Sequence, residues 1–310
     1  MTRYLIRRFA YTLVILVIAS MVVFLALRIT PGDATNFVVT PISSPERFEE
    51  LRRELGLDRP LIEQYVVFIT RILTGNFGAS DISHREISEI ITTGLPYTLW
   101  LALSAALLVY GLGIPLGVIA ALRRDRWPDQ LISASAVLGL GIPNFVLAII
   151  LIMIFALGLN LLPVSGAAGP ANVIMPAIVL AVEPLAVVMR IVRSSVIDQL
   201  SQDYVRTLEA KGLSRRRVIW VHVLRNSMGP VISLAAVQFR SMLGYTLIVE
   251  VIFRWPGLGT QLVDAVLKRD YLVAQDLALL LTAVVIVLNT LADIGQAYAD
   301  PRVRVQVSNA

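Results

Sequence analysis

Residues 97–121 read YTLWLALSAALLVYGLGIPLGVIAA, from Tyr97 to Ala121, and contain no Asp, Glu, Lys, Arg or His. A bilayer core about 30 Å thick is crossed by roughly 20 apolar residues in helical form. The apolar run is continuous rather than alternating, so it fits a helix and not a barrel strand. Five further segments have the same character: 9–27, 131–157, 172–190, 229–252 and 276–298. The fourth span in chain order, 172–190, is the weakest, being short and carrying Glu183 and Pro184.

Composition agrees with that reading. The chain of 310 residues is 56% hydrophobic and 16% charged, with a mean hydropathy of +0.75. Soluble domains average about 25% charged residues. Cysteine is absent, which excludes disulfides, thiolate metal sites and cysteine nucleophiles. Only His84 and His222 could supply imidazole, too few for a histidine metal centre. The net charge of +5 is the excess of Lys and Arg expected on cytoplasmic loops, not a nucleic-acid footprint. Arg3, Arg7 and Arg8 precede the first run as in a signal peptide, but Phe9–Leu27 exceeds a typical h-region and lacks a cleavage site. A retained first span is expected.

Orientation follows from Lys and Arg in the short loops. One side carries Arg3, Arg7 and Arg8, then Arg123, Arg124 and Arg126, then Arg190, Arg193, Arg206, Lys211, Arg215, Arg216, Arg217 and Arg225, and finally Arg302 and Arg304. The opposite loop at 158–171 carries no charge, and 253–275 has Arg254, Lys268 and Arg269 as its basic residues. Both termini and the 191–228 segment are therefore expected in the cytoplasm. Segment 30–96 opens on the turn signal Pro31-Gly32-Asp33. Helical spacing over Glu46–Leu55 and Leu61–Leu73 suggests a small external subdomain. No internal repeat of the kind common in single-chain carriers is visible.

The stretch Asp198–Asn226 is the most informative. Asp203 can cap a short helix, Gly212 suits the position after a helix where φ is positive, and Ser214 can cap a second helix from about Arg215. A compact helix–turn–helix results, basic outside and apolar along Val218, Val221 and Leu224. Charge alone is equally met by a positive-inside loop on lipid head groups. The order Tyr204-Val205-Arg206-Thr207, Ala210-Lys211-Gly212-Leu213 and His222-Val223-Leu224-Arg225-Asn226 goes further. It resembles the coupling motif of ATP-binding-cassette (ABC) importer permeases, specifically the dipeptide, oligopeptide and nickel branch of first-permease, dipeptide permease B-like type. The resemblance extends through Arg7-Arg8, Pro31-Gly32-Asp33, Leu55-Gly56-Leu57-Asp58-Arg59-Pro60-Leu61, Gly75-Asn76-Phe77-Gly78, Leu95-Pro96, Gly113-Ile114-Pro115-Leu116-Gly117, Pro143-Asn144-Phe145, Leu162-Pro163, Trp255-Pro256-Gly257-Leu258-Gly259 and Asp300-Pro301-Arg302. Arg206, Thr207 and Leu208 stand where the general motif has Glu-Ala-Ala, and Arg240 and Arg254 replace usually small residues.

The resemblance implies an all-α membrane protein of six transmembrane helices. Its parts would be an N-terminal end and first span (1–28), an external subdomain (29–96), a five-helix permease domain (97–298) containing the coupling segment 198–226, and a cytoplasmic tail (299–310). It implies multi-pass placement in a prokaryotic cytoplasmic membrane. The implied partners are a second homologous permease, two ABC ATPase subunits or one fused ATPase, an extracytoplasmic substrate-binding protein and the lipid bilayer, with no nucleic acid. ATP and Mg would sit on the ATPases and no cofactor on this chain; no Gly-x-x-x-x-Gly-Lys-Ser/Thr loop occurs in the sequence. The implied cargo is short peptides, with nickel, haem or glutathione as alternatives. Arg206 and Lys211 would steer the segment to an acidic groove and Leu213 would supply apolar contact.

Three further readings rest on the residues themselves. Glu183 and Arg240 fall at membrane depth, where a charge costs roughly 2.5–3.5 kcal/mol and faces a cavity or partner, or else snorkels to an interface. Pro143 and Asn144 bend the third span, beside a pathway or simply as a kink. Trp255, Pro256 and Gly257 form an external loop at the interface favoured by Trp. An ion-driven secondary carrier and an intramembrane enzyme compete; the first lacks its repeat and the second a nucleophile–base set.

Overall fold

A computed structural model describes residues 2–29, 59–80 and 82–299. The expected helix over 46–55, the Pro31-Gly32-Asp33 turn and the Asp300-Pro301-Arg302 tail lie outside these residues. The described residues form helices joined by turns, with a single isolated β-bridge between Ala79 and Glu86 and no named strand. In chain order the helices are α1 (Thr2–Ile29), α2 (Leu61–Leu73), α3 (Ile87–Leu122), α4 (Trp127–Gly141) and α5 (Asn144–Leu151, continuing as the π-helical Ile152–Gly158). They continue with α6 (Ala171–Leu200), α7 (Asp203–Ala210) and α8, in which Arg215–Arg217 and the π-helical Val218–Val223 run into Leu224–Ile252. Last come α9 (Leu258–Lys268) and α10 (Tyr271–Ala299). Helix α2 occupies the span that the spacing predicts.

Among the described residues, four helices are individually long and apolar enough to span a bilayer, over Leu5–Ala26, Ile87–Leu122, Ala171–Leu200 and Tyr271–Gly295. The count reaches six if each of two bent pairs is one span. The expected single third span over 131–157 is instead two helices meeting at 107°. The cause is local. Ile142 precedes a proline and is driven to extended backbone, with ψ 116°, and Pro143 has no N–H with which to continue the helix. Helix α4 is then about 22 Å long, too short to cross alone. The fifth span bends by 42° between Phe239 and Ser241, at Arg240.

The chain divides into two units. The first holds Met1–Ile6, Leu99–Trp255 and Leu288–Ala310. Its centre is α6, the span that looked weakest by sequence. Val179, Leu180, Val188, Val192 and Val196 of α6 are buried in a core with Leu101, Val109, Ala148, Met242 and Val249. Helices α3 and α6 approach so closely that a Cβ on Gly117 would stand 2.7 Å from Val192 Cβ and 2.8 Å from the Met189 carbonyl oxygen. Small residues allow this contact in a medium where burial of apolar surface gives little help.

The second unit holds Arg7–Thr98 and Pro256–Val287. The Phe24 ring of α1 packs edge-on to Tyr65 at 5.4 Å between centroids and lies 5.8 Å from Phe68. Tyr65 and Ser20 share a hydrogen bond of 2.7 Å. Arg71 of α2 donates to Asp276 of α10 at 2.8 Å, with the Asp276 side chain wholly buried. Ile87, Ile90, Leu258, Val273 and Leu277 form a second core there.

Candidate functional site

The predicted coupling segment is a tight elbow between α6 and α8. Helix α6 closes at Leu200, where the Ser201 hydroxyl donates to the Asp198 carbonyl at 2.8 Å. Gln202, not Asp203, holds the N-cap position of α7. Asp203 sits one residue further in, where a carboxylate is favoured by the helix dipole. One face of α7 turns inward: Val205 is buried, and Tyr204 and Leu208 are half-buried against the core. The Tyr204 hydroxyl also donates to Gln199 Oε1 at 3.0 Å. The other face leaves Arg206, Thr207, Ala210, Lys211 and Gly212 exposed.

The turn itself is a complete Schellman motif. The Gly212 N–H donates to the Glu209 carbonyl at 2.9 Å and the Leu213 N–H to the Leu208 carbonyl at 3.3 Å. Gly212 has φ +79°, which L-residues with a Cβ rarely adopt. Ser214 then takes the N-cap position of α8, and its carbonyl accepts the Val218 N–H at 3.0 Å.

Three details differ from the sequence expectation. The second helix, expected from about Arg215 as one arm of a helix–turn–helix, runs on into the fifth candidate span. Its buried face is Val218, Ile219 and Val223, while Val221 is 51% exposed and Leu224 half-buried. The π-helical stretch explains this, because an i→i+5 pattern displaces the apolar stripe from the α-helical spacing. Leu213, expected to supply apolar contact to a partner, is half-buried and packs in part against this chain's own core. His222 is half-buried between exposed Val221 and buried Val223, and Arg225 and Asn226 on the next turn are exposed. Trp220, which the motif did not single out, is 47% exposed beside the basic Arg215–Arg217 run.

The other candidates are scattered. Pro143 and Asn144 begin α5 at the sharp bend. Glu183 is half-buried on α6, and Arg240 falls at the bend in α8, its side chain lying outside the described residues. Trp255 is 2% exposed in the first unit's core, and its backbone N–H donates to the Glu250 carbonyl at 2.8 Å. Just before it, the Phe253 carbonyl accepts the Gly166 N–H at 2.9 Å. Pro256 is half-buried, and Gly257 is buried and caps α9. Sequence reasoning passed over the Arg193–Asp129 pair, which joins α6 to α4. Its signal was present as a lone carboxylate after Trp127-Pro128 and an arginine on the apolar side of the basic cluster.

Comparison with known proteins places this arrangement. Residues 113–305 match the family described as binding-protein-dependent transport system inner membrane component, and residues 1–102 match the N-terminal region of such membrane components. The glutathione transport system permease protein GsiC of Escherichia coli (strain K12) is 38% identical over 98% of this chain and 99% of its own length. GsiC of Salmonella typhimurium is likewise 38% identical, with the same coverage. A chain from the inward-facing MetNI methionine ABC transporter shares the fold, with a TM-score of 0.54 at 15% identity over 68% of this chain and 96% of that one. The chain therefore belongs to the family of ABC-importer permeases of the dipeptide, oligopeptide and nickel type, the multi-pass inner-membrane components of binding-protein-dependent transport systems.

Proposed function

We propose that this chain forms half of a translocation pathway for short peptides and couples that pathway to ATPase subunits through the elbow at 203–213. The observation that carries the reading is the exposed, glycine-closed turn on a segment covalently continuous with α6 and α8. Exposed Arg206 and Lys211 suit an acidic groove on an ATPase. Trp220 adds an aromatic contact of the kind enriched at binding hot spots. When the ATPase pair closes, the elbow is drawn with it and displaces both helices. ATP and Mg belong to those partner subunits. The second permease supplies the other half of the pathway, and an external binding protein delivers cargo. Both termini and the elbow face the cytoplasm. Glu183 and Arg240 line the pathway or pair across α6 and α8.

A second reading narrows the cargo to glutathione, itself a tripeptide. The permeases called GsiC favour it, at 38% identity over nearly the whole chain. One uptake experiment separates the two readings. Cells with and without the chain are offered di- to hexapeptides and glutathione, after ATP depletion or after collapse of ion gradients. Peptide uptake that needs the chain and ATP supports the first reading. Uptake of glutathione alone supports the second. Uptake that follows the ion gradient overturns both.

A further inference from the structure

Asp129 lies in the first turn of α4, and Arg193 lies two turns before the end of α6, about 10 Å along the helix axis from the elbow. Arg193 Nε donates to Asp129 Oδ1 at 2.6 Å and Nη2 to Oδ2 at 2.7 Å, a two-pronged pair. The same carboxylate accepts the Asp125 N–H at 2.9 Å and the Ser133 hydroxyl at 3.2 Å. Asp129 is 3% exposed, so its carboxylate is held away from solvent. Around the pair, α3, α4 and α6 lock together. Leu116, Ile132, Ala136, Leu185, Ala186 and Met189 form one small core, and Gly117 admits Val192 at the same level.

We propose that Asp129 and Arg193 are positioning residues for transport: they bolt α4 to α6, so that displacement of the elbow reaches the bent pair α4–α5 instead of dissipating as a tilt of α6 alone. The inference rests on the coupling role given to the elbow. Packed apolar helices can slide by small amounts, whereas a planar guanidinium forked onto a carboxylate fixes both register and rotation. The pair joins α6 to α4 through charged groups close to the end of α6 that leads into the elbow. Without the bolt, the ATPases would turn over while the pathway lagged.

The test uses the assembled transporter in proteoliposomes, with radiolabelled trialanine and glutathione as probes, and reads ATP hydrolysed per probe imported. Asp129→Asn and Arg193→Gln should keep the ATPases bound and basal hydrolysis within about twofold, while ATP consumed per import rises about tenfold, a typical coupling energy. Arg193→Lys, which keeps the charge without the fork, should give a smaller rise. The double variant should be no worse than either single one, since both break one connection. An unchanged ratio in an assembled Asp129→Asn or Arg193→Lys complex overturns the proposal. So do single effects that multiply in the double variant, or failure of all variants to assemble, because the pair then serves folding alone. Gly212→Val is the control for the elbow: a wild-type ratio there sinks the coupling reading itself, whatever the pair does.

Discussion

Gly212 is constrained by dihedral angle rather than by space. Nothing stands within 4 Å of where its Cβ would be, yet its φ of +79° costs a residue with a Cβ about 1–2 kcal/mol. A graded series is expected from this. Gly212→Asn should be nearly silent because Asn tolerates the left-handed region. Gly212→Ala should weaken the turn by about 1 kcal/mol. Gly212→Val should open it, because a β-branched side chain is the least compatible with positive φ. Co-purification of ATPase subunits should fall in that order; equal recovery from all three would show that the turn's shape is irrelevant to docking. At this scale the sequence was a good guide. A glycine between a short polar helix and the capping Ser214 is the pattern of a left-handed helix end, and the hydrogen bonds bear the turn out. The packing of Leu213 was not legible, because an exposed and an inward-packed leucine look alike until the neighbouring core is known.

At the level of elements, α2 is fastened to α10 by Arg71 and Asp276. The Asp276 side chain is fully buried and that of Arg71 is 22% exposed. Removing one partner of such a pair leaves the other charge desolvated, at a cost of up to about 3–5 kcal/mol for a fully buried pair and less here because Arg71 meets solvent. Arg71→Ala should therefore lower the thermal midpoint of the detergent-solubilised protein more than Arg85→Ala does. Arg85 pairs with Glu89 on the surface at 2.9 Å, and such pairs contribute about 0–1 kcal/mol. Equal midpoints would mean that the Arg71 pair adds nothing to the fold. Helix identities were legible from apolar run length, but helix breaks were less so. Pro143 marked a bend without giving its size, because proline removes a hydrogen bond while its neighbours choose the angle. Pro176 and Pro184 lie inside α6 and leave it one continuous helix.

For the whole molecule, the bent pair α4–α5 is the element on which the number of membrane crossings turns. The six-span reading predicts opposite sides for its two ends. The cysteine-free sequence makes this directly measurable. Trp127→Cys and Leu161→Cys lie at exposed positions at either end of the pair. A membrane-impermeant thiol reagent should label Leu161→Cys in intact cells and Trp127→Cys only after the inner face is opened. Labelling of both from one side would make the pair re-entrant and reduce the number of crossings.

Run length, absence of charge and the order of motifs were enough, without coordinates, to establish a helical membrane protein and the branch of permeases to which it belongs. These are properties of local composition and of covalent order along the chain. The 107° break at Pro143, the burial of Trp255, the inward turn of Leu213 and the union of Asp129 with Arg193 were decided only when distant segments met. Each depends on which helix face finds a neighbour. In a chain that is apolar almost everywhere, hydrophobicity does not distinguish a lipid-facing side from a protein-facing one, so packing and paired polar groups make that choice.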